Sequence, residues 1–189
     1  NELKIMLRDQ LDEEYDTYGI ENFSIKDFDE PTMKSYRNRF NSLNNDHPFT
    51  SMDDIDFFMK IGALRKNRST GNIESTLGGL LVFGKTEFIK EVIPFIHFDF
   101  FDKSIISKER WNDRVVYDGT WGEANLYNFF FIVIQKLYNL VEKDFKIGND
   151  NLSRMDYSDI HIAIREAFVN SIIPFVVEGP EGMALIETG

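Results

Sequence analysis

At 189 residues and 42% hydrophobic content, the chain is long enough to bury a core in one compact unit or in two small lobes. The absence of cysteine excludes disulfides, thiol chemistry and zinc–thiolate sites, and a cytoplasmic protein is the simplest expectation. The net charge of −11 repels phosphate backbones, so tight duplex binding at physiological salt is not expected. The longest apolar run, at 128–134, is far short of the roughly 20 residues that cross a bilayer, and no membrane partner is expected.

In chain order, an amphipathic segment, LKIMLRDQLDEEY, comes first and reads as the interior of a longer chain. A short strand-like stretch follows at FSIKDFD. Asp29, Glu30 and Pro31 then signal a helix start, predicting a helix over about 30–43 that Pro48 and an Asn-rich stretch terminate. Ser51 is the expected cap of the next helix, MDDIDFFMKIG, whose acidic first turn suits the helix dipole and whose stop is Gly62. After a polar turn, RKNRSTGN, Thr76 is placed to cap LGGLLVFG, where Gly78 and Gly79 permit close approach to a neighbour.

EVIPFIHFDFFD reads as a buried strand and RVVYDG as a second, with Gly119 at its turn. A long helix from about Glu123 to Asp144 repeats Leu126, Phe129, Phe130, Val133, Leu137, Leu140 and Val141 at helical spacing. Phe131, Ile132 and Ile134 widen that apolar face beyond what one core needs, which predicts a homodimer through this helix. The tail reads as a helix, MDYSDIHIAIREAFVNSII, with Ser158 or Asp159 near its cap, then two strands, FVVEG and MALIET, joined by GPEG. These elements predict an α+β (mixed α/β) fold, with helices packed on a small, mainly antiparallel sheet.

The segment REAFVNS carries the most informative spacing. Glu166 and Asn170, four apart, share one helix face. A carboxylate and an amide so placed suit a water-orienting general base and an oxygen ligand for magnesium; the same spacing also describes an ordinary solvated stripe. GLLVFGKT at 79–86 matches the phosphate-loop pattern literally, yet its four bulky apolar residues would have to face solvent, so it reads as a buried helix. His47, His97 and His161 lack ligand spacing, and His97 reads as a core position. Lys34, Tyr36, Arg37 and Arg39 form a small basic and aromatic surface on the first helix, and Trp111 and Trp121 are expected against the long helix.

AIREAFVNSII resembles the helix that opens the ATP site in bacterial transcriptional regulators related to RecG-like ATP-binding proteins, with a GHKL-like ATPase region. The resemblance continues upstream in order, through FSIKDFDEPTMKSYRNRF, DHPF, FFMKIGALRK, STLGGLLVFGK and WNDRVVYDGTWGEANLYNFFF. It implies Glu166 as the catalytic general base and Asn170 as the cofactor-binding and magnesium-ligating residue. ATP and Mg are the implied cofactors of the full-length protein, and the glycine boxes that hold them are expected beyond Gly189. It also implies a Schlafen-like, Alba-type domain outside the chain that contacts DNA or RNA. On this basis 1–50 is a helical linker segment, 51–157 a middle α/β region, and 158–189 the incomplete start of the ATPase-like region. Pro174 departs from the family's usual continuation of this helix.

Overall fold

The computed structural model describes residues 17–102, 113–117, 120–147, 159, 161–170 and 184–188. The amphipathic opening segment, Trp111, Gly119, Ser158, Pro174, FVVEG and the GPEG turn lie outside the described residues. The fold is α+β, with a two-stranded antiparallel hairpin and a three-stranded sheet whose helices pack around aromatic cores.

The stretch expected as a strand before the first helix is instead a 3-10 turn, Ile25–Asp27. Ser24 and Asp27 close a capping box around it, so these backbone groups are satisfied locally. Helix α1 (Glu30–Leu43) follows as expected, capped by Asp29, whose carboxylate accepts from the Thr32 amide at 3.0 Å. Ser51 does not cap the next helix. Pro48 starts a 3-10 turn that ends at Ser51, and Asp53 caps α2 (Asp54–Lys60) through the Asp56 amide. Gly62, at φ +81°, ends that helix.

The polar turn proves to be the tip of a hairpin, β1 (Leu64–Lys66) and β2 (Ile73–Ser75), with Leu64 opposite Ser75. Helix α3 (Leu77–Phe83) is capped by Thr76, whose hydroxyl accepts from the Gly79 amide at 3.0 Å and donates to the Gly62 carbonyl at 2.8 Å. That second bond draws α3 against the start of β1. An ideal Cβ on Gly79 would lie 2.7 Å from the Ala63 carbonyl carbon and 2.8 Å from its Cα, so only glycine fits.

The long strand expected over EVIPFIHFDFFD splits in two. Its first residues finish helix α4 (Thr86–Val92), and Pro94, which cannot continue a helix, separates that helix from β3 (Phe98–Asp102). His97 is exposed rather than in the core, because it sits just before the strand turns its side chains inward. β3 pairs antiparallel with β4 (Asp113–Val116) and parallel with β5 (Ala184–Thr188). Helix α5 (Leu126–Ile147) starts three residues later than Glu123, because the Asn125 amide oxygen caps it by accepting from Asn128 N at 3.0 Å.

Two aromatic cores result. One joins α3, α4 and α5 to the sheet around Phe98, Phe100, Phe129 and Val133; the other joins α1, α2 and the hairpin around Phe28, Phe57, Phe58 and Phe83. Val82 borders both. Each fully buried Phe contributes roughly 1.5–3 kcal/mol, so rings supply much of the cohesion.

A polar knot stitches the cores together. Asn125, wholly buried, donates to the Gly84 carbonyl at 3.1 Å and to the Thr32 hydroxyl at 3.2 Å, and Thr32 in turn donates to Asp29 at 2.6 Å. Beside it, Glu123 accepts from both the Thr86 amide and hydroxyl, at 2.7 and 2.6 Å, and so caps α4 from a distance. Every donor in this knot has an acceptor, which is the condition for a buried polar cluster to hold rather than loosen a core.

Candidate functional site

The helix over 161–170, α6, carries the pair singled out by spacing. Its inner side is fixed to α5. Phe168 is buried and stacks on Phe130 at 5.3 Å between ring centroids, and His161 stacks on Tyr138 at 4.1 Å. Glu166 and Asn170 lie two positions either side of Phe168, which on a 3.6-residue period turns both away from α5. Both are exposed, together with Ile162 and Val169 on the same side. One carboxylate and one amide oxygen are hard donors of the type magnesium takes. Among the described residues no further phosphate or metal ligand joins them, and no three His, Asp or Glu side chains converge as a metal site.

GLLVFGKT does not form a phosphate loop. Gly79, Leu80, Leu81 and Phe83 are buried in α3, and Gly84 turns the chain with its amide bonded to the Leu80 carbonyl. Its amides are spent inside the helix and cannot face a ligand.

The basic and aromatic residues of α1 have partners within the chain, although Lys34 and Arg39 stay exposed. Lys34 pairs with Glu30. Arg37 gathers the carbonyls of Thr50, Met52 and Asp53 and lies over Phe57 at 4.3 Å, which holds the turn before α2. Arg39 covers Phe131 at 4.6 Å, and Tyr36 packs edge-on against Phe83 at 5.1 Å. Burial raises the Tyr36 phenol above its ordinary pKa, with the neighbouring Tyr127 adding to the effect. Trp121 packs on Phe129 of α5, as the sequence predicts, and its indole donates to the Val116 carbonyl at 2.9 Å.

Spacing alone missed an ion pair on the sheet. Asp99, buried in β3, accepts from Arg114 of β4 through Nε at 3.0 Å and Nη2 at 2.5 Å, while His97 Nε2 stands 3.4 Å from the same carboxylate. The hydrogen bond to Asp99 raises the Arg114 guanidinium further above its ordinary value. The available signal was an acid alternating with phenylalanines in FDFFD, since a carboxylate inside an apolar strand requires a partner. Lys136 of α5 pairs with the neighbouring Asp113, so the first two residues of β4 are both held by charge. Close by, a small cavity of about 70 Å³ opens between α4 and the start of β3, lined by Thr86, Lys90, His97 and Tyr117 over Ile89 and Phe98.

No curated protein and no solved structure matches the chain. One family does, over residues 4–99, just over half of the length. The matched region takes in α1 to α4, the hairpin and the start of β3, whereas Glu166 and Asn170 lie outside it. The chain belongs to the family described as Domain of unknown function (DUF8451).

Proposed function

We propose that the chain is part of an ATP-binding transcriptional regulator related to RecG-like proteins and supplies one wall of its nucleotide and magnesium site. The observation that supports this reading is α6, tied to α5 by Phe168 and His161 while Glu166 and Asn170 face outward together. In this role Asn170 gives its amide oxygen to magnesium and Glu166 orients the attacking water. ATP and Mg are bound by the full-length protein, whose glycine-rich boxes complete the pocket, and DNA or RNA is held by its other domains. The chain by itself is not expected to hydrolyse ATP, since catalysis depends on holding both reactants in place and the phosphates lack most of their ligands.

In the full-length protein, Asn170→Ala is expected to weaken magnesium-dependent ATP binding about tenfold or more, the usual scale for disturbing a metal site. Calorimetric titration with and without magnesium checks this. Equal affinity for wild type and variant sinks the assignment.

The half-buried side of α5 favours a second reading, a dimerisation domain with a degenerate ATPase-like helix. Phe130 is covered within the chain by Phe168, but Phe131, beneath Arg39, and Ile132 line an open groove with Trp121, Tyr127 and Asn128. Ile132→Glu is then expected to convert a dimer into a folded monomer, because an unpaired charge is costly in a dry interface. Light scattering over a concentration series reads this, and a wild-type mass of one chain throughout excludes the dimer.

A further inference from the structure

Glu74, on β2, is only 7% exposed, and among the described residues it has no ion pair. Arg65 stands directly opposite it across the hairpin, yet donates to the Thr17 carbonyl at 2.9 Å instead. Glu74 Oε1 accepts from the Asn67 side chain at 2.8 Å. Oε2 lies against Gly19, which has no side chain to crowd it, and accepts no hydrogen bond among the described residues. A buried carboxylate held by one neutral donor is short of partners, because a charge taken out of water needs a counter-charge or a full set of hydrogen bonds.

Glu74 borders an open pocket of about 430 Å³ between the hairpin and residues 21–24. Both walls are fixed by the chain. On one side, the Ile20 amide bonds to the Ser75 carbonyl and the Ser75 amide to the Phe23 carbonyl, each at 2.8 Å, and Asn22, at φ +71°, turns the backbone between them. On the other, the Asn67 side chain accepts from the amides of Ser69 and Thr70, at 2.9 and 3.1 Å. Walls set in advance spare a ligand the cost of ordering them. Their polar groups are chiefly oxygen acceptors, the carboxylates of Glu21 and Glu74, the side-chain carbonyls of Asn22 and Asn72, and the Thr70 hydroxyl. Phe23 and Ile73 add apolar surface, and no basic side chain lines the pocket among the described residues.

We propose that this pocket binds an alkylammonium group, the head of a lysine side chain or of a free amine. An ammonium has three donors and no acceptor, which suits Glu74 Oε2, Glu21 and the two asparagine carbonyls. Its alkyl stem lies along Phe23 and Ile73, as such stems lie on apolar surface elsewhere. Calcium is a poorer fit, because it needs about six to eight converging oxygens, and no three acids of the described residues converge. Every residue of the pocket falls inside the stretch matched by the family, 4–99, and apart from Glu166 and Asn170. The site therefore stands or falls separately from the nucleotide reading.

The test is a titration of the 189-residue chain with n-butylammonium at constant ionic strength, followed by backbone amide NMR shifts. The shifts are expected to saturate and to concentrate at residues 21–24 and 70–74. Tetramethylammonium, equal in charge but without an N–H, should bind about tenfold more weakly or worse, and Glu74→Gln should cost n-butylammonium as much, the scale of a hydrogen bond to a charged group. Glu21→Lys, a change at an exposed position that brings a fixed cation to the mouth, should abolish binding, and it carries the test if Glu74→Gln does not fold. Nα-acetyl-lysine amide and cadaverine then separate the sources, the tighter one assigning the pocket to a protein side chain or to a free diamine. Shifts spread over the acidic surface, equal affinity for tetramethylammonium, a preference for calcium, or binding that survives either substitution in a folded chain overturns the proposal.

Discussion

Gly79→Ala is expected to destabilise the chain by about 3 kcal/mol, the upper end of what overpacking costs, and to lower the melting temperature by roughly 10 °C. The added methyl meets the Ala63 backbone at 2.7 and 2.8 Å, with the Ala63 carbonyl oxygen closer still. A flexible side chain could swing aside; a backbone anchored by the Thr76 amide, which donates to that oxygen at 3.0 Å, cannot. The double variant Gly79→Ala with Ala63→Gly should therefore recover nothing, because the colliding atoms are common to both residues. Thermal unfolding followed by circular dichroism decides it. A loss below about 1 kcal/mol would mean that α3 and β1 are not in this contact, since overpacking of this kind costs at least that much.

Phe129→Ala should cost still more, about 3–5 kcal/mol, the range for emptying a buried aromatic site. Phe129 is wholly buried among three other rings, Phe98 of β3 at 5.3 Å between centroids, Trp121 of the turn before α5 at 6.3 Å and Phe168 of α6 at 6.4 Å. Its loss therefore loosens the seat of Glu166 and Asn170 as well as the core. Denaturant unfolding measures the first effect, and proteolytic sensitivity of α6 the second. If stability falls while α6 keeps its protection, the helix is held by Phe130 and Tyr138 rather than through Phe129.

Features carried by neighbouring residues were legible in the sequence. The start of α1 is written in Asp29, Glu30 and Pro31, the cap of α3 in Thr76, and the stop of α2 in Gly62, since each bond involved spans only a few positions. The length of α5 gave its period enough turns to register. Three-residue strands such as β1 and β2 are too short to show alternation, so their hairpin was hidden inside a polar turn. Ser51 and Asp53 are both good caps, and only the 3-10 turn begun by Pro48 settles which of them is used.

The candidate site divides along the same line. That Glu166 and Asn170 share a helix face follows from their spacing, and the structure places both on the exposed side of α6. What fixes that helix, the Phe168 and His161 stacks on α5, joins residues 23 to 38 positions apart and leaves no local pattern. The polar knot is more remote still, with Thr32 and Asn125 93 positions apart. An isolated Asn or Thr carries no mark of the partner it will meet.

The two neighbours of β3 arrive at very different times. β4 begins 11 residues after β3 ends, from Asp102 to Asp113, whereas β5 begins at Ala184, 86 residues after its partner Phe98. Closing the longer loop costs only about 2 kcal/mol more in chain entropy, at roughly 0.6 kcal/mol per doubling of length. The larger effect is on order of assembly, because distant pairings form late. A chain emerging from the ribosome would complete α1 to α4 and the β3–β4 pair while one edge of β3 still offered its unpaired amides and carbonyls. An open edge recruits strands from other chains, so a truncation before Ala184 should aggregate where the whole chain does not.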